Sequence, residues 1–349
     1  MATALVCPDK FRGTLTAAGA AEALARGLQA AEVAHRRFDE IRCVPLADGG
    51  EGTLDTLLAS QGGARRRATV TGPLGEVVEA EYGVLPDGTA VIESARASGL
   101  ALVGPANDPL AATSRGTGEL IRAAVRNGAT RILVTVGGSA MTDGGLGAVD
   151  ALGWSLAGLD VTVACDVTTP FVDAARRYGP QKGATAAQVA LLTRRLERLG
   201  EVYRQRTGTD IANLPHSGAA GGLAGGLAAL GARLEPGFEV VARAVNLEGA
   251  LEGADLVLTG EGRFDRTSLA GKVTGSVLEW AGSEGVAHRA VVAGQVAELD
   301  GEDGPVLDDV LVLSLVDRVW QAGEAWSRAG LLAEEAAVEV GRWALQRLG

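Results

Sequence analysis

The stretch RILVTVGGSAMTDGGLGAVDAL, residues 131–152, contains the structural unit from which most of this chain is built. A short apolar run, Arg131–Val136, leads through the glycine- and aspartate-rich turn Gly137–Gly145 into a helical stretch, Leu146–Leu152. A short apolar run bounded by turn residues is typical of a buried strand. The stretch therefore predicts a strand, a turn and a helix in direct succession.

The same unit recurs along the chain. Apolar runs at Thr3–Cys7, Ile41–Leu46 and Asp255–Thr259 each lead through a turn rich in glycine and aspartate into an alanine- and leucine-rich helix. Further strands are predicted at Val161–Cys165, Ala290–Ala293 and Val310–Leu315. Strands that alternate with helices predict an α/β fold of parallel sheets. Ligands bind beyond the carboxyl ends of such strands, so we expect the glycine-rich turns to meet there.

The stretch from Val70 to Ile92 has a different pattern. Turn signals at Gly72-Pro73, Leu74-Gly75 and Pro86-Asp87-Gly88 separate alternating apolar and polar residues. This alternation predicts antiparallel hairpins rather than a strand–helix unit, and we expect them near a crossing between two domains.

Length and composition narrow the class of protein. A chain of 349 residues exceeds the size at which single cores stop growing, so two domains are expected. The formal net charge of −11 argues against nucleic-acid and membrane partners, although a local basic cluster can still bind a small anion. The three cysteines form no CxxC pair, which argues against a disulfide framework or zinc site. The amino-terminal residues lack a basic, long apolar leader, so we expect a cytoplasmic protein.

The familiar nucleotide-binding and nucleophile signatures are missing. Gly271-Lys272 is followed by Val273, and Arg266 occupies the place of the first glycine of a GxxxxGK[ST] motif. No strand is followed by a complete GxGxxG, which weakens a dehydrogenase, and no GxSxG is present.

The turns instead combine acids, glycines and single cations, the residue types that phosphoryl transfer needs. We expect four cations to neutralise substrate carboxylate and phosphate charge: Lys10, Arg12, Lys182 and Lys272. Consecutive glycines let backbone N–H groups approach an anion, so a phosphate cradle is predicted at Gly137, Gly138 and Ser139. Four aspartates are candidates for metal binding and for accepting the hydroxyl proton: Asp48, Asp143, Asp166 and Asp265.

Taken in order, these segments resemble the bacterial glycerate kinase family that has no P-loop. The resemblance covers nearly the whole chain, and its most specific motifs are Ala47–Thr53 and Gly179–Thr185. The other matching segments are Pro8–Gly13, Gly116–Ile121, Gly137–Ala140, Asp143–Gly145, Ala164–Val167, Gly218–Gly222 and Thr259–Asp265. It implies dependence on ATP and Mg²⁺ and a substrate of glycerate size.

The resemblance also implies a domain organisation. It predicts two α/β domains, one flavodoxin-like and one resembling restriction endonucleases, with the active site in a cleft between them. The fold is expected to be discontinuous, with residues 1–80 and 285–349 in one domain and residues 81–284 inserted as the other.

Several positions depart from the commoner pattern of the family. Lys10 replaces a frequent serine, and Arg12 replaces a frequent lysine, which keeps the charge but changes its shape. Met141-Thr142 replaces Thr-Asn, and His216-Ser217 replaces small residues, which puts substrate choice in question.

We therefore predict ATP-dependent phosphorylation of D-glycerate, with 2-phosphoglycerate favoured over 3-phosphoglycerate as the product. Asp48 and the four cations are assigned to catalysis. Asp143, Asp166 and Asp265 are assigned to the metal. Two alternatives stay open: a kinase of another small hydroxy acid, and a non-catalytic sensor of a nucleotide or metabolite. No macromolecular partner is expected.

Overall fold

The computed structural model describes residues 1–269, 271–297, 307 and 309–348. The chain divides into two compact units. The first unit combines Met1–Ala47 with Val241–Gly349, and the second is Asp48–Val240. The first unit is therefore discontinuous in sequence.

The described strands and helices alternate for most of the chain. The strands are β1 (Thr3–Val6), β2 (Glu40–Cys43), β3 (Ala64–Thr71), β4 (Val77–Val84), β5 (Ala90–Glu93), β6 (Arg131–Val136), β7 (Asp160–Cys165), β8 (Arg233–Pro236), β9 (Leu256–Phe264), β10 (His288–Val296) and β11 (Val310–Ser314). The helices are α1 (Ala17–Ala30), α2 (Thr53–Gln61), α3 (Ala95–Ser98), α4 (Arg115–Arg126), α5 (Leu146–Ala151), α6 (Ala174–Tyr178), α7 (Ala186–Thr207), α8 (Ala219–Ala229), α9 (Gly237–Ala244), α10 (Leu247–Leu251), α11 (Val273–Ser283), α12 (Ala322–Ser327) and α13 (Ala329–Arg347).

The first unit is built on a parallel sheet with the strand order β11-β10-β9-β1-β2. Counted within the unit, this is the 2-1-3-4-5 order of flavodoxin-like sheets. The predicted α/β class and its flavodoxin-like half are confirmed. The chain runs from β1 to β2 on one side and returns to β9 on the other, so the order reverses between β1 and β9. The crevice at such a switch point, beyond the carboxyl ends of the strands, is where ligands bind in open α/β sheets.

Small residues let the helices of this unit pack closely against one another. A Cβ atom added to Gly27 of α1 would lie 2.2 Å from the Glu334 carbonyl oxygen of α13. Leu24 of α1 and Val340 of α13 are fully buried in one hydrophobic cluster. Phe264 of β9 and Leu278 of α11 are buried in a second one. Aromatic residues make up only 4% of the chain, and close approach of the helix backbones contributes to the packing instead.

The second unit contains a mixed sheet with the order β3-β4-β5-β6-β7-β8. Strands β3, β4 and β5 are antiparallel neighbours, and β5 to β8 run parallel. The hairpins predicted between Val70 and Ile92 are confirmed.

The junctions between the units differ from the expected positions after residues 80 and 284. They lie after Ala47 and after Val240. The β3–β4 hairpin pairs with β5, whose other neighbour is β6, so residues 48–80 belong to the second unit. In the same way β9 pairs with β1 and β10, which places residues 241–284 in the first unit.

Strand β9 also runs further than its apolar residues suggest. The glycine-rich segment after Thr259 was expected to be a turn, but β9 continues to Phe264 because β10 pairs with it along its whole length. Glycine makes this possible: a Cβ atom on Gly260 would lie 2.2 Å from the Val292 carbonyl oxygen.

Across the described ranges, no helix combines the length and the apolar character that crossing a bilayer requires.

Candidate active site

The loop Asp48–Gly52 lies at the carboxyl edge of the second sheet. The Val136 N–H at the end of β6 donates to the Gly49 carbonyl oxygen (3.1 Å). Gly49 has φ +84°, and a Cβ atom there would lie 2.8 Å from Gly237 Cα and 3.1 Å from Ala164 Cβ of β7. Asp48 is half-buried, and its Oδ1 accepts a hydrogen bond from the Gly50 N–H (3.0 Å). The structure therefore holds Asp48 where β6 and β7 end.

A buried carboxylate that the sequence did not single out supports the other end of this loop. Glu93 Oε1 accepts from the Gly52 N–H (3.0 Å), and its Oε2 accepts from the Leu54 N–H (3.4 Å) at the start of α2. Burial raises the pKa of Glu93. The two backbone hydrogen bonds and the positive charge of nearby Arg96 act in the opposite direction and lower it. Glu93 is the last residue of β5 and does not lie in a glycine-rich turn, so no sequence motif indicated a role for it.

The glycines of the predicted phosphate cradle have a packing role. A Cβ atom on Gly137 would lie 2.9 Å from Gly50 Cα, and one on Gly138 would overlap the Glu51 side chain. The turn after β6 thus touches the Asp48–Gly52 loop, as the expected clustering of turns requires. Phosphate binding by Gly137, Gly138 and Ser139 stays a prediction.

Lys182 is enclosed beneath the Gly137–Gly145 turn, with only 3% of its surface exposed. Its Nζ donates to Ser139 Oγ (2.9 Å) and to the Met141 carbonyl oxygen (2.5 Å). Asn107 holds the same segment, because its Nδ2 donates to the Ala140 (3.1 Å) and Lys182 (2.9 Å) carbonyl oxygens. Lys182 therefore positions the turn from within, whereas the sequence predicted a cation facing the substrate. Asn107 carries no motif signal and was missed.

Burial lowers the pKa of Lys182 from 10.5 to about 7, although the Asp143 carboxylate opposes this shift. In the unfolded chain Lys182 keeps its proton up to its ordinary value. Between about pH 7 and that value the unfolded state binds more protons, so the free energy of unfolding rises with pH.

We expect this rise to be visible as a difference between variants. Without ligands, the melting temperature of the parent minus that of Lys182→Met should increase from pH 6 to pH 8.5, because methionine cannot titrate. Thermal denaturation followed by circular dichroism measures both. A difference that is constant across this range would contradict the lowered pKa.

Asp143 is committed to hydrogen bonds within the second unit. Its Oδ2 accepts from the Ser114 N–H (2.8 Å), the Ser114 hydroxyl (2.8 Å) and the Gly147 N–H (3.2 Å). Its Oδ1 accepts from the Gly145 N–H (3.0 Å). These bonds join the start of α4 to the start of α5, which is a structural use of the carboxylate.

The structure places Asp166 directly after β7, where its side chain is exposed.

Opposite the Gly137–Gly145 turn, Ala220, Gly221 and Gly222 adopt left-handed backbone angles that kink α8. A Cβ atom on Gly221 would lie 2.1 Å from the Met141 carbonyl oxygen and 3.0 Å from Lys182 Nζ. The glycine-dense segment therefore closes the Lys182 enclosure.

In the first unit, the turn after β1 lies beside the end of β9. The Asp9 N–H donates to the Gly260 carbonyl oxygen (2.8 Å), and a Cβ atom on Gly262 would lie 2.9 Å from the Arg12 nitrogen. Arg12 is exposed, and Lys10 is half-buried. Both cations are therefore at the switch point of this sheet.

Beyond the end of β9, Asp265 is engaged by its own turn. Its Oδ1 accepts from the Thr267 N–H (2.9 Å) and hydroxyl (2.6 Å), and its Oδ2 pairs with Arg263 Nε (3.3 Å). The Thr267 hydroxyl is the largest influence lowering the pKa of Asp265. Lys272 Nζ donates to the Thr267 hydroxyl (3.1 Å).

The three predicted metal ligands do not form one cage. Asp143 and Asp166 belong to the second unit and Asp265 to the first. Throughout the described ranges, no three His, Cys, Asp or Glu side chains are grouped to hold an ion. Mg²⁺ usually takes only one or two carboxylates with phosphate and water, so a cage is not required. Asp143 and Asp265 fit poorly because their oxygens already accept several hydrogen bonds.

Comparison with known proteins identifies the family of this chain. The sequence model of the glycerate kinase family matches residues 4–158 and 154–345. Glycerate 2-kinase of Escherichia coli (strain K12) is 44% identical over 77% of this chain and 79% of its own. Glycerate kinase of Halalkalibacterium halodurans is 37% identical over 97% of both chains. A crystal structure described as a glycerate kinase 2, from Salmonella typhimurium LT2, superimposes with a TM-score of 0.83 and 33% identity over 99% of both chains. The chain belongs to the glycerate kinase family.

Proposed function

We propose that this protein transfers the γ-phosphoryl group of ATP to the 2-hydroxyl of D-glycerate. The observation that carries the proposal is the identity of 37–44% to proteins named glycerate kinase, one of them glycerate 2-kinase. A cytoplasmic location accompanies the proposal, as do glycerate and ATP as its small-molecule partners.

The reaction needs a group that accepts the hydroxyl proton. The hydroxyl oxygen forms a bond to the γ-phosphorus, the bond to the β,γ-bridging oxygen breaks, and ADP leaves with that electron pair. We assign the proton to Asp48, because it is half-buried at the carboxyl edge of β6 and β7 and its Oδ1 is held by the Gly50 N–H. A ligand hydroxyl would approach Oδ2.

The substrates are anionic, although the chain carries a net charge of −11. Arg12 is an exposed cation at the switch point, and its planar guanidinium suits a carboxylate. We assign it to the glycerate carboxylate, with Lys10 beside it. Lys272 is assigned to phosphate charge. Mg²⁺ would supply further neutralisation of the triphosphate. Lys182 acts indirectly, by holding Ser139 and Met141 in place.

The first test is the reaction itself. The purified chain with Mg-ATP and D-glycerate should release ADP and form a monophosphoglycerate, and EDTA should stop both. Phosphorus NMR of the product distinguishes 2-phosphoglycerate from 3-phosphoglycerate.

A panel of small hydroxy acids serves as the control for substrate choice. Faster turnover of another hydroxy acid would favour a kinase of that acid. Nucleotide binding without ADP release from any acid would favour a sensor and would overturn the proposal.

A further inference from the structure

The turn that carries Arg12 is short and closed. It comprises Phe11–Leu15, lies between β1 and α1, and is called the Arg12 turn below. The Phe11 N–H donates to the Leu15 carbonyl oxygen (2.9 Å), and the Leu15 N–H donates to the Phe11 carbonyl oxygen (3.0 Å). Arg12 and Gly13 therefore lie in the tip of a tight turn.

The base of the Arg12 turn is held by the core and by β9. Phe11 is only 1% exposed, and a Cβ atom on Gly260 would lie 3.2 Å from its Cζ. A Cβ atom on Gly262 would lie 2.9 Å from the Arg12 nitrogen. These contacts place the start of the turn against β9, and neither of them involves Gly13.

The indole of Trp326 covers the tip of the turn at Gly13. A Cβ atom on Gly13 would lie 2.9 Å from Trp326 Cζ3, 3.7 Å from Cη2 and 3.8 Å from Cε3. The six-membered ring of the indole thus lies against this side of Gly13. Gly13 has φ +82°, which a residue with a side chain rarely adopts, so glycine serves both the backbone angle and the close approach.

The core also fixes the helix that presents this indole. Trp326 lies in α12, where its neighbour Ala325 is buried in the same hydrophobic cluster as Phe11. The indole itself is 61% exposed, so it contributes little to that core. Trp320 is fully exposed, and it provides a comparison for Trp326.

Covering the tip matters for the exposed side chain of Arg12. A mobile tip would lose conformational entropy on binding a ligand, whereas a tip that is already ordered loses less. An indole suits this task because it is rigid and amphipathic, so one face can pack on the backbone while the rest faces water.

We propose that Trp326 is a positioning residue for substrate binding. By covering Gly13, it holds the Arg12 turn in the conformation in which the guanidinium binds the carboxylate of the substrate. Trp326 acts through Arg12 and takes no part in phosphoryl transfer. The inference rests on the proposed function for the role of Arg12, and it adds a residue that no sequence motif indicated.

Steady-state kinetics gives the first test. Trp326→Ala should raise KM for D-glycerate about ten-fold, the lower end of the effect of losing the charge-assisted bond itself. The values of kcat and of KM for Mg-ATP should stay close to the parent's, because the carboxylate contact is lost equally from the ground state and the transition state. Trp326→Phe keeps a six-membered ring over Gly13 and should restore most of the affinity. Trp320→Ala is the matched control and should behave as the parent does.

A double-mutant cycle shows whether Trp326 acts through Arg12. In the Arg12→Ala background, Trp326→Ala should raise KM for D-glycerate no further, because the group that it positions is missing. Additive increases would mean that Trp326 affects the substrate independently and would overturn the inference. An unchanged KM in Trp326→Ala alone would overturn it as well.

Amide hydrogen exchange separates this inference from the proposed function, because it needs no substrate. Peptides that contain residues 11–15 should exchange faster in Trp326→Ala than in the parent, Trp326→Phe or Trp320→Ala. Equal exchange in all four would overturn the inference whatever the kinetics show. If exchange responds as expected but the parent does not phosphorylate glycerate, the proposed function alone is refuted.

Discussion

Replacing Lys182 by methionine is expected to lower kcat/KM for glycerate about a hundred-fold and to destabilise the fold. Methionine has a similar length, but it leaves the Ser139 hydroxyl and the Met141 carbonyl oxygen without their buried donor. Each such loss costs about 1–3 kcal/mol, so the two together cost about 2–6 kcal/mol. The Ser139–Asp143 segment should then shift, and a displacement of about 1 Å in a catalytic site can cost a hundred-fold in rate.

Steady-state kinetics and urea denaturation of the same preparation measure the two effects. Ser139→Ala is the graded control, because it removes one of the two acceptors while Nζ keeps the Met141 carbonyl oxygen. It should be destabilised less than Lys182→Met and should retain more activity. If Lys182→Met is as stable and as active as the parent, Lys182 does not position this segment.

Replacing Asp48 by asparagine should have the opposite signature, with activity lost and the fold preserved. Asparagine can keep the Oδ1 bond to the Gly50 N–H, so the free energy of unfolding should change by less than about 0.5 kcal/mol. The amide cannot take up the hydroxyl proton. General-base assistance is worth roughly a hundred-fold or more, so kcat should fall by that factor.

Asp210→Asn is the matched control for Asp48→Asn. Asp210 Oδ1 accepts from the Ala212 N–H (3.0 Å), also two residues further along, and its side chain is exposed. This variant should match the parent in kcat. The loss in Asp48→Asn should persist at every Mg²⁺ concentration, because the missing group is a base. Partial recovery at high Mg²⁺ would instead place Asp48 at the metal, and turnover within a few-fold of the parent would remove it from the chemistry.

The sequence by itself determined the fold class and the turns in which the polar residues lie. Both depend on short-range features: apolar runs of strand length, glycines that permit left-handed angles, and aspartates that form turns. The chain has 32 lysines and arginines, of which only three are lysines: Lys10, Lys182 and Lys272. Each of the three lies in one of these turns or at the start of a helix. Reading residue types was enough to select these segments.

Only the tertiary structure decided where the units divide and which polar groups are already in use. The pairing of β1 with β9 joins residues about 250 positions apart, and no local pattern reports it. Asp48 and Asp143 both lie in glycine-rich turns of the sequence. In the structure the N–H groups of Ser114 and Gly147 donate hydrogen bonds to the Asp143 carboxylate. The sequence places Lys182 in a turn, but the glycine-dense segment around Gly221, which is distant in sequence, encloses it. Whether a charged group is free to bind depends on partners that folding supplies, because burial and hydrogen bonding are properties of the packed chain.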